Sequence, residues 1–298
     1  MTLKHFVDEV AEELQNYLGD HYEVQTTTTL KNNSVELSGV RIRQDDDCML
    51  PTIYLNDFYQ LYCKNALTLL EIVKKVAKGF EESRESIQQL PIINSTQLEH
   101  CKDKIVYRLI SKKRNKELLK SIPYIPFMDL AITFQVVISI NPPSFHSMKI
   151  TNELLEKWGI SIEKLIQLAN VNTPRILPPR IVNMGDMLQE LQPDLFLEMD
   201  LTNDKKMDMI VITNTLGVNG AAAILYPDLL TSLCNKYKTN FYVIPSSIHE
   251  VILVPAENDS MTEELKLLVQ DVNRQFVDME EILSDQVYYF EYTTKKFQ

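Results

Sequence analysis

The segment Phe241-Tyr-Val-Ile-Pro-Ser-Ser-Ile-His-Glu-Val-Ile-Leu-Val-Pro255 sets two hydroxyls (Ser246, Ser247), an imidazole (His249) and a carboxylate (Glu250) between two apolar runs. These are the residue types of nucleophilic catalysis, in which a base activates the hydroxyl and a carboxylate orients the base. The spacing argues against a triad made within the segment. His249 and Glu250 are neighbours at the start of an expected strand, where successive side chains point to opposite faces, so Glu250 does not orient the ring beside it. The Gly-x-Ser-x-Gly turn that exposes a nucleophile in α/β-hydrolases is also missing. The motif therefore reads as a tight turn whose hydroxyls and ring satisfy backbone groups. The leading reading is a non-enzymatic binding or interaction protein that uses the C-terminal sheet and this turn, with Ser246, Ser247, His249, Glu250, Asn214 and Asn219 as ligand-binding residues. A hydrolase or transferase using His249 is the competing enzymatic reading.

Other chemistry finds less support in the spacing. The five histidines are scattered with no His-x-x-x-His, and Cys48, Cys63, Cys101 and Cys234 form no Cys-x-x-Cys pair, so neither a metal site nor a cofactor is expected. Asp45-Asp-Asp47 and Asp200 to Asp208, the latter within the acidic stretch Asp194 to Asp208, lack the regular ligand spacing of a calcium loop. Leu216-Gly-Val-Asn-Gly220 lacks a phosphate-binding Lys and reads as a hairpin turn. The run Lys112-Lys-Arg114, with Lys116 and Lys120, falls on an expected short helix that spreads it over more than one face, without interleaved aromatic residues. It reads as a solvated surface.

The formal charge of −11 is concentrated in residues 151–298. Phosphate contacts depend on Lys and Arg, so this balance disfavours nucleic acids and anionic membranes and leaves a protein or small molecule as the expected partner. An acidic inhibitor that mimics nucleic acid is a third reading, and it needs Asp194, Glu198, Asp200, Asp204 and Asp208 on one face. Carboxylates near the N-terminus and the lack of any apolar run near ~20 residues point to a cytoplasmic protein.

The elements that would carry these residues follow from periodicity. Thr2 caps a helix with Phe6, Val7, Val10 and Leu14 on one face, and a hairpin pairs Tyr22–Leu30 with Val35–Arg43. Helices follow from Asn56 and Asn65. A polar stretch, residues 84–103, separates an N-terminal lobe (1–90) from a C-terminal lobe (95–298). The second lobe reads as strand Ile105–Ile110, helix Lys112–Lys120, strand Met128–Ile140, helices opened by Thr151 and Ser161, a proline connector at Pro174 to Pro179, and a helix at Met184–Leu191. Its last part reads β-β-α-β-β-α-β, including a strand Ala221–Leu225. The predicted class is α+β, with largely antiparallel sheets and helices packed on one face, in two lobes.

Pro51-Thr-Ile-Tyr-Leu55 with Phe58-Tyr59, Lys104-Ile-Val-Tyr-Arg108, Asn115, Ile125-Pro-Phe-Met-Asp-Leu-Ala131, Asn219-Gly-Ala-Ala-Ala223 and Tyr242 to Glu250 occur in this order. Together they resemble an uncharacterised domain-of-unknown-function family of intracellular proteins from anaerobic Gram-positive bacteria. The resemblance implies an intracellular bacterial protein and brings no activity, substrate or site residue with it.

Overall fold

A computed structural model describes residues 1–44, 51–88, 90–91, 94–142, 144–186, 209–245, 247–256 and 261–298. The chain divides into two compact units, Met1–Ile92 and Ile93–Gln298. Both combine helices with antiparallel sheets, the α+β class expected.

In the first unit, the Thr2 hydroxyl accepts the His5 N–H at the start of α1 (Leu3–Leu18), and Gly19 ends the helix at φ 83°. β1 (Tyr22–Leu30) pairs with β2 (Glu36–Gln44), and β2 with β3 (Thr52–Tyr54). After α2 (Asn56–Cys63) comes α3 (Leu69–Gln88). Phe6, Val10 and Leu14 of α1 share a core with Val40 and Ile42 of β2 and with Ile72, Val76 and Phe80 of α3. Helical three- and four-residue spacing and strand alternation thus meet in one buried layer.

The second unit holds two further antiparallel sheets. The first contains β4 (Ile105–Ser111), β5 (Tyr124–Phe127), β6 (Leu130–Asn141) and β7 (Ser144–Lys149). The long β6 pairs with β4 along one edge, and along the other with β5 over its first half and β7 over its second. Next, α4 (Asn152–Trp158) and α5 (Ile162–Ile176) start where expected, with Thr151 and Ser161 hydroxyls accepting the N–H groups of Leu154 and Lys164. The second sheet draws on β8 (Pro179–Asn183), β9 (Ile210–Asn214), β10 (Asn240–Ile244), β11 (Val251–Ala256), β12 (Tyr288–Glu291) and β13 (Lys296–Phe297). Its order is β13-β12-β10-β11-β9-β8, with α6 (Leu229–Tyr237) and α7 (Thr262–Phe276) in the connections. Alternation along β10 sends Phe241 and Val243 into the main core, shared with β4, β6 and α6, and Tyr242 and Ile244 to a smaller cluster under Val269 of α7.

Four local expectations give way to longer-range constraints. Residues 112–117 form consecutive turns instead of a helix, with only Leu118–Lys120 in a 3-10 turn; the fully buried Asn115 donates to the Ser111 carbonyl at 2.9 Å and pins the loop. Met128-Asp129, expected as the start of the strand Met128–Ile140, is a hairpin turn between β5 and β6, which begins at Leu130. The proline connector is taken up from both ends: α5 runs through Pro174 to Ile176, and β8 starts at Pro179, a position that needs no ladder N–H. Ala221–Leu225 lies in a 3-10 helix, Gly220–Leu225, and not in a strand; alanine has weak β preference, and Asn219 enters at φ 53°, which breaks extension. From β9 onward the order is therefore β-α-β-β-α-β before the short β13.

Among the described residues no helix is long and apolar enough to cross a membrane. Ser246, the Asp45–Asp47 turn, the acidic stretch Asp194–Asp208 and most of the helix expected at Met184–Leu191 lie outside the described residues.

Candidate functional site

The polar turn between β10 and β11 is a closed knot. Ser247, 5% exposed, accepts the backbone N–H groups of His249 (3.0 Å) and Glu250 (3.3 Å) on its hydroxyl oxygen and donates to Glu250 Oε1 at 2.7 Å. His249 and Glu250 lie in a bend ahead of β11 and not on the strand itself. As the spacing implied, Glu250 serves Ser247 and not the ring. The ring is held from elsewhere: Nε2 is 3.3 Å from Glu281 Oε1, and Nδ1 lies 3.0 Å from the Gly217 carbonyl oxygen and 3.4 Å from the Asn219 nitrogen. Both ring nitrogens are thereby occupied, whereas a catalytic base needs one for its nucleophile.

Asn219 meets the knot through its backbone, and Asn214 shapes the loop that leads to it. Asn214, 1% exposed, closes its own loop by donating to the Val218 carbonyl (2.8 Å) and accepting the Leu216 N–H (3.0 Å). Asn219 contributes its N–H. Gly220 then passes so close that a Cβ would stand 2.3 Å from the His249 carbonyl oxygen and 2.1 Å from Thr213 Oγ1; the Thr213 hydroxyl itself donates to that carbonyl at 2.7 Å.

The knot is also stitched to the segment before β12. Ile248 N–H donates to the Glu281 carbonyl (2.9 Å), Ser247 bridges Ile282, and Ser284 N–H donates to the Pro245 carbonyl (3.2 Å). The same Ser284 reaches across with its hydroxyl to Asp129 Oδ2 at 2.8 Å, while the Tyr288 hydroxyl donates to Asp129 Oδ1. Burial, then the Asp129 carboxylate, push the Tyr288 phenol far above its usual range, so it stays a donor.

Asp129 belongs to a second and different place. It lines a cavity of about 370 Å³ with Lys112, Lys113, Lys116, Leu119, Tyr124 and Met128. Two constraints build it: Lys112 N–H donates to the Asp129 carbonyl at 3.1 Å, and Asn115 folds the intervening loop so that three lysines face one opening. Arg114 turns away to pair with Asp285 at 2.9 Å. Lys112, Lys113 and Lys116 form no ion pair among the described residues. Met128 holds φ 54° in the hairpin turn, a conformation costly for a residue with a long side chain, and is 44% exposed beside the lysines. Among the described residues no group of three His, Cys, Asp or Glu side chains is placed to hold a metal ion.

Sequence reasoning missed Glu281, Tyr124 and Asp129. No local signal marks Glu281 as the partner of a residue 32 positions earlier. For the other two a signal exists: Pro123-Tyr-Ile-Pro-Phe-Met-Asp129 directly follows the basic run, and a hairpin at Met128-Asp129 folds Tyr124 back toward it.

The fold and these two regions define an α+β protein whose second unit pairs a self-satisfied Ser-His-Glu turn with an open, lysine-lined cavity. The chain belongs to a family of unknown function, DUF5688, whose model matches residues 3–292. No curated protein and no solved structure matches it.

Proposed function

We propose that this is a non-enzymatic binding protein whose second unit takes a small anionic ligand into the cavity of Lys112, Lys113, Lys116, Tyr124 and Asp129. The observation that carries the reading is three ammonium groups, without ion pairs among the described residues, around about 370 Å³ in a chain of net charge −11. Clustered like charges repel one another, and an anion relieves that repulsion while gaining charge-assisted hydrogen bonds. The volume lies within the roughly 300–1,000 Å³ of small-molecule sites. Tyr124, Leu119 and Met128 offer an apolar wall, and Asp129, fixed by Tyr288 and Ser284, offers an acceptor for a ligand hydroxyl or amine.

On this reading the Ser247–Glu250 turn serves at one remove, by holding the segment that carries Ser284. The unpaired thiols of Cys63, Cys101 and Cys234 suit a reducing compartment such as the cytoplasm.

Titration calorimetry with pyrophosphate, citrate and a nucleoside monophosphate tests the proposal. At least one should bind saturably with 1:1 stoichiometry, and Lys112→Gln with Lys116→Gln should weaken it about tenfold or more without moving the unfolding midpoint. Absence of binding by all three at millimolar concentration sinks it.

A further inference from the structure

The four-stranded sheet has a second face. Ile105, Tyr107 and Leu109 of β4, with Leu130, Ile132 and Phe134 of β6, enter the main core. On the opposite face the register sets Arg108, Thr133 and Tyr124 directly across from one another on three adjacent strands, and Gln135 follows two residues along β6 on that same face. Directly opposed Cβ atoms are about 4.5–5.5 Å apart and diagonal ones about 7–8 Å. Arg108, Thr133 and Gln135 are therefore close neighbours on one face of the sheet.

That patch holds open donors. Thr133 and Gln135 are 2% and 3% exposed, and among the described residues neither Thr133 Oγ1 nor Gln135 Nε2 has a hydrogen-bond partner. The Gln135 carbonyl end is already taken by the Ser147 hydroxyl at 3.1 Å, so the open end of the amide is its NH2. Arg108 makes no ion pair among the described residues, and burial pushes its pKa below the ordinary value with no neighbouring carboxylate to oppose it. Buried donors are normally met, and a buried charge without a partner is among the most destabilising features a fold can carry.

We infer that Arg108, Thr133 and Gln135 form a binding site for an oxyanion, a carboxylate or phosphate group, distinct from the lysine cavity. The guanidinium fork takes two oxygens in one plane, the geometry such anions present. The Thr133 hydroxyl and Gln135 amide donate to the remaining lone pairs. Arg108 is only partly buried and gives the route of entry; Thr133 and Gln135 close the site behind it. The lysine cavity offers flexible, hydrated ammonium groups, whereas this site offers fixed donors on a sheet and no competing carboxylate.

The test is thermal unfolding of the full chain in a Lys112→Gln, Lys116→Gln background, which removes the lysine cavity from the measurement. Sodium phosphate and sodium succinate are titrated at constant ionic strength set with sodium chloride. A saturable rise of the midpoint is expected with at least one probe, following the mass-action law for a ligand of the folded state. Phosphate acting at lower concentration assigns a phosphoryl group, and succinate doing so assigns a carboxylate. Arg108→Met should abolish the rise and, without anion, unfold at a higher temperature than its parent, because it deletes a charge that has no partner. Thr133→Val, which keeps shape, should raise the half-saturating concentration about tenfold. The inference is overturned by no saturable rise with either probe, by an equal rise in the Arg108→Met protein, which is the mark of general salt exclusion, or by Arg108→Met lowering the anion-free midpoint.

Discussion

The Ser247–Glu250 turn and the Lys112–Asp129 cavity are both dense in polar groups, yet they differ in where those groups find partners. The turn's polar groups are met by the protein itself: Ser247 by Glu250 and two backbone N–H groups, His249 by Gly217, Asn219 and Glu281. Around the cavity the backbone is pinned by Asn115 and by the Lys112–Asp129 hydrogen bond, while the three ammonium groups form no ion pair among the described residues. On the proposed reading, a catalytic-looking composition is a structural clamp and an unremarkable basic run is the place with binding capacity left over. The difference predicts that substitutions in the turn act on stability and those at the cavity act on binding.

The largest effect should come from Gly220→Ala. A methyl group there meets the His249 carbonyl at 2.3 Å and the Asn214 nitrogen at 2.9 Å, both backbone atoms that cannot swing aside. Overpacking of this kind costs about 3 kcal/mol, read as a lower urea midpoint. A loss below about 0.5 kcal/mol would mean that the 3-10 helix slides freely past the turn, and the clamp picture would fail.

Ser247→Ala should rank next. It leaves two backbone N–H groups and one Glu250 oxygen short of a partner in a nearly buried turn, which costs about 2 kcal/mol. Tyr107→Phe checks the reasoning behind that figure. The fully buried Tyr107 hydroxyl has no partner among the described residues, so deleting it strands none of them and should leave stability at pH 7 unchanged or raised by about 1 kcal/mol. The same phenol carries a pH signature. Burial, then Tyr226, push its pKa far above the ordinary 10.0. Its proton is lost first in the unfolded chain, so its contribution is complete below about pH 10 and falls as pH rises beyond it. Urea unfolding at pH 8 and pH 10.5 should accordingly show a shallower alkaline decline in the Phe variant than in the parent.

How far the sequence reveals these regions depends on how local their causes are. The Thr2, Thr151 and Ser161 caps and the Thr-rich hairpin were legible because a cap is decided within three residues and a hairpin by alternation on either side of its turn. The 112–117 loop was not, because a buried Asn and a hydrogen bond to Asp129 override a sequence that otherwise suits a helix. Gly220–Leu225 was misread for a related reason, since its path depends on a close approach to His249 that only the fold supplies. Arg108 did leave a trace: one charged residue at a single position of the apolar run Ile105 to Ile110. Its consequence became visible only once the register put Thr133 beside it.

The smallest effect on stability should come from the cavity itself. Lys112, Lys113 and Lys116 are all exposed and carry no ion pair among the described residues, so replacing them strands no partner. Surface substitutions of this kind fall within about 0.5 kcal/mol. The triple Gln variant should also sit on the stable side of that range at low salt, because it removes mutual repulsion among three cations, and the advantage should fade as salt screens the parent's charges. Chemical denaturation at low and at roughly 0.5 M salt reads both outcomes. A loss of about 2 kcal/mol, comparable to Ser247→Ala, would mean that these lysines are spent on holding the fold together, and the contrast between clamp and cavity would collapse.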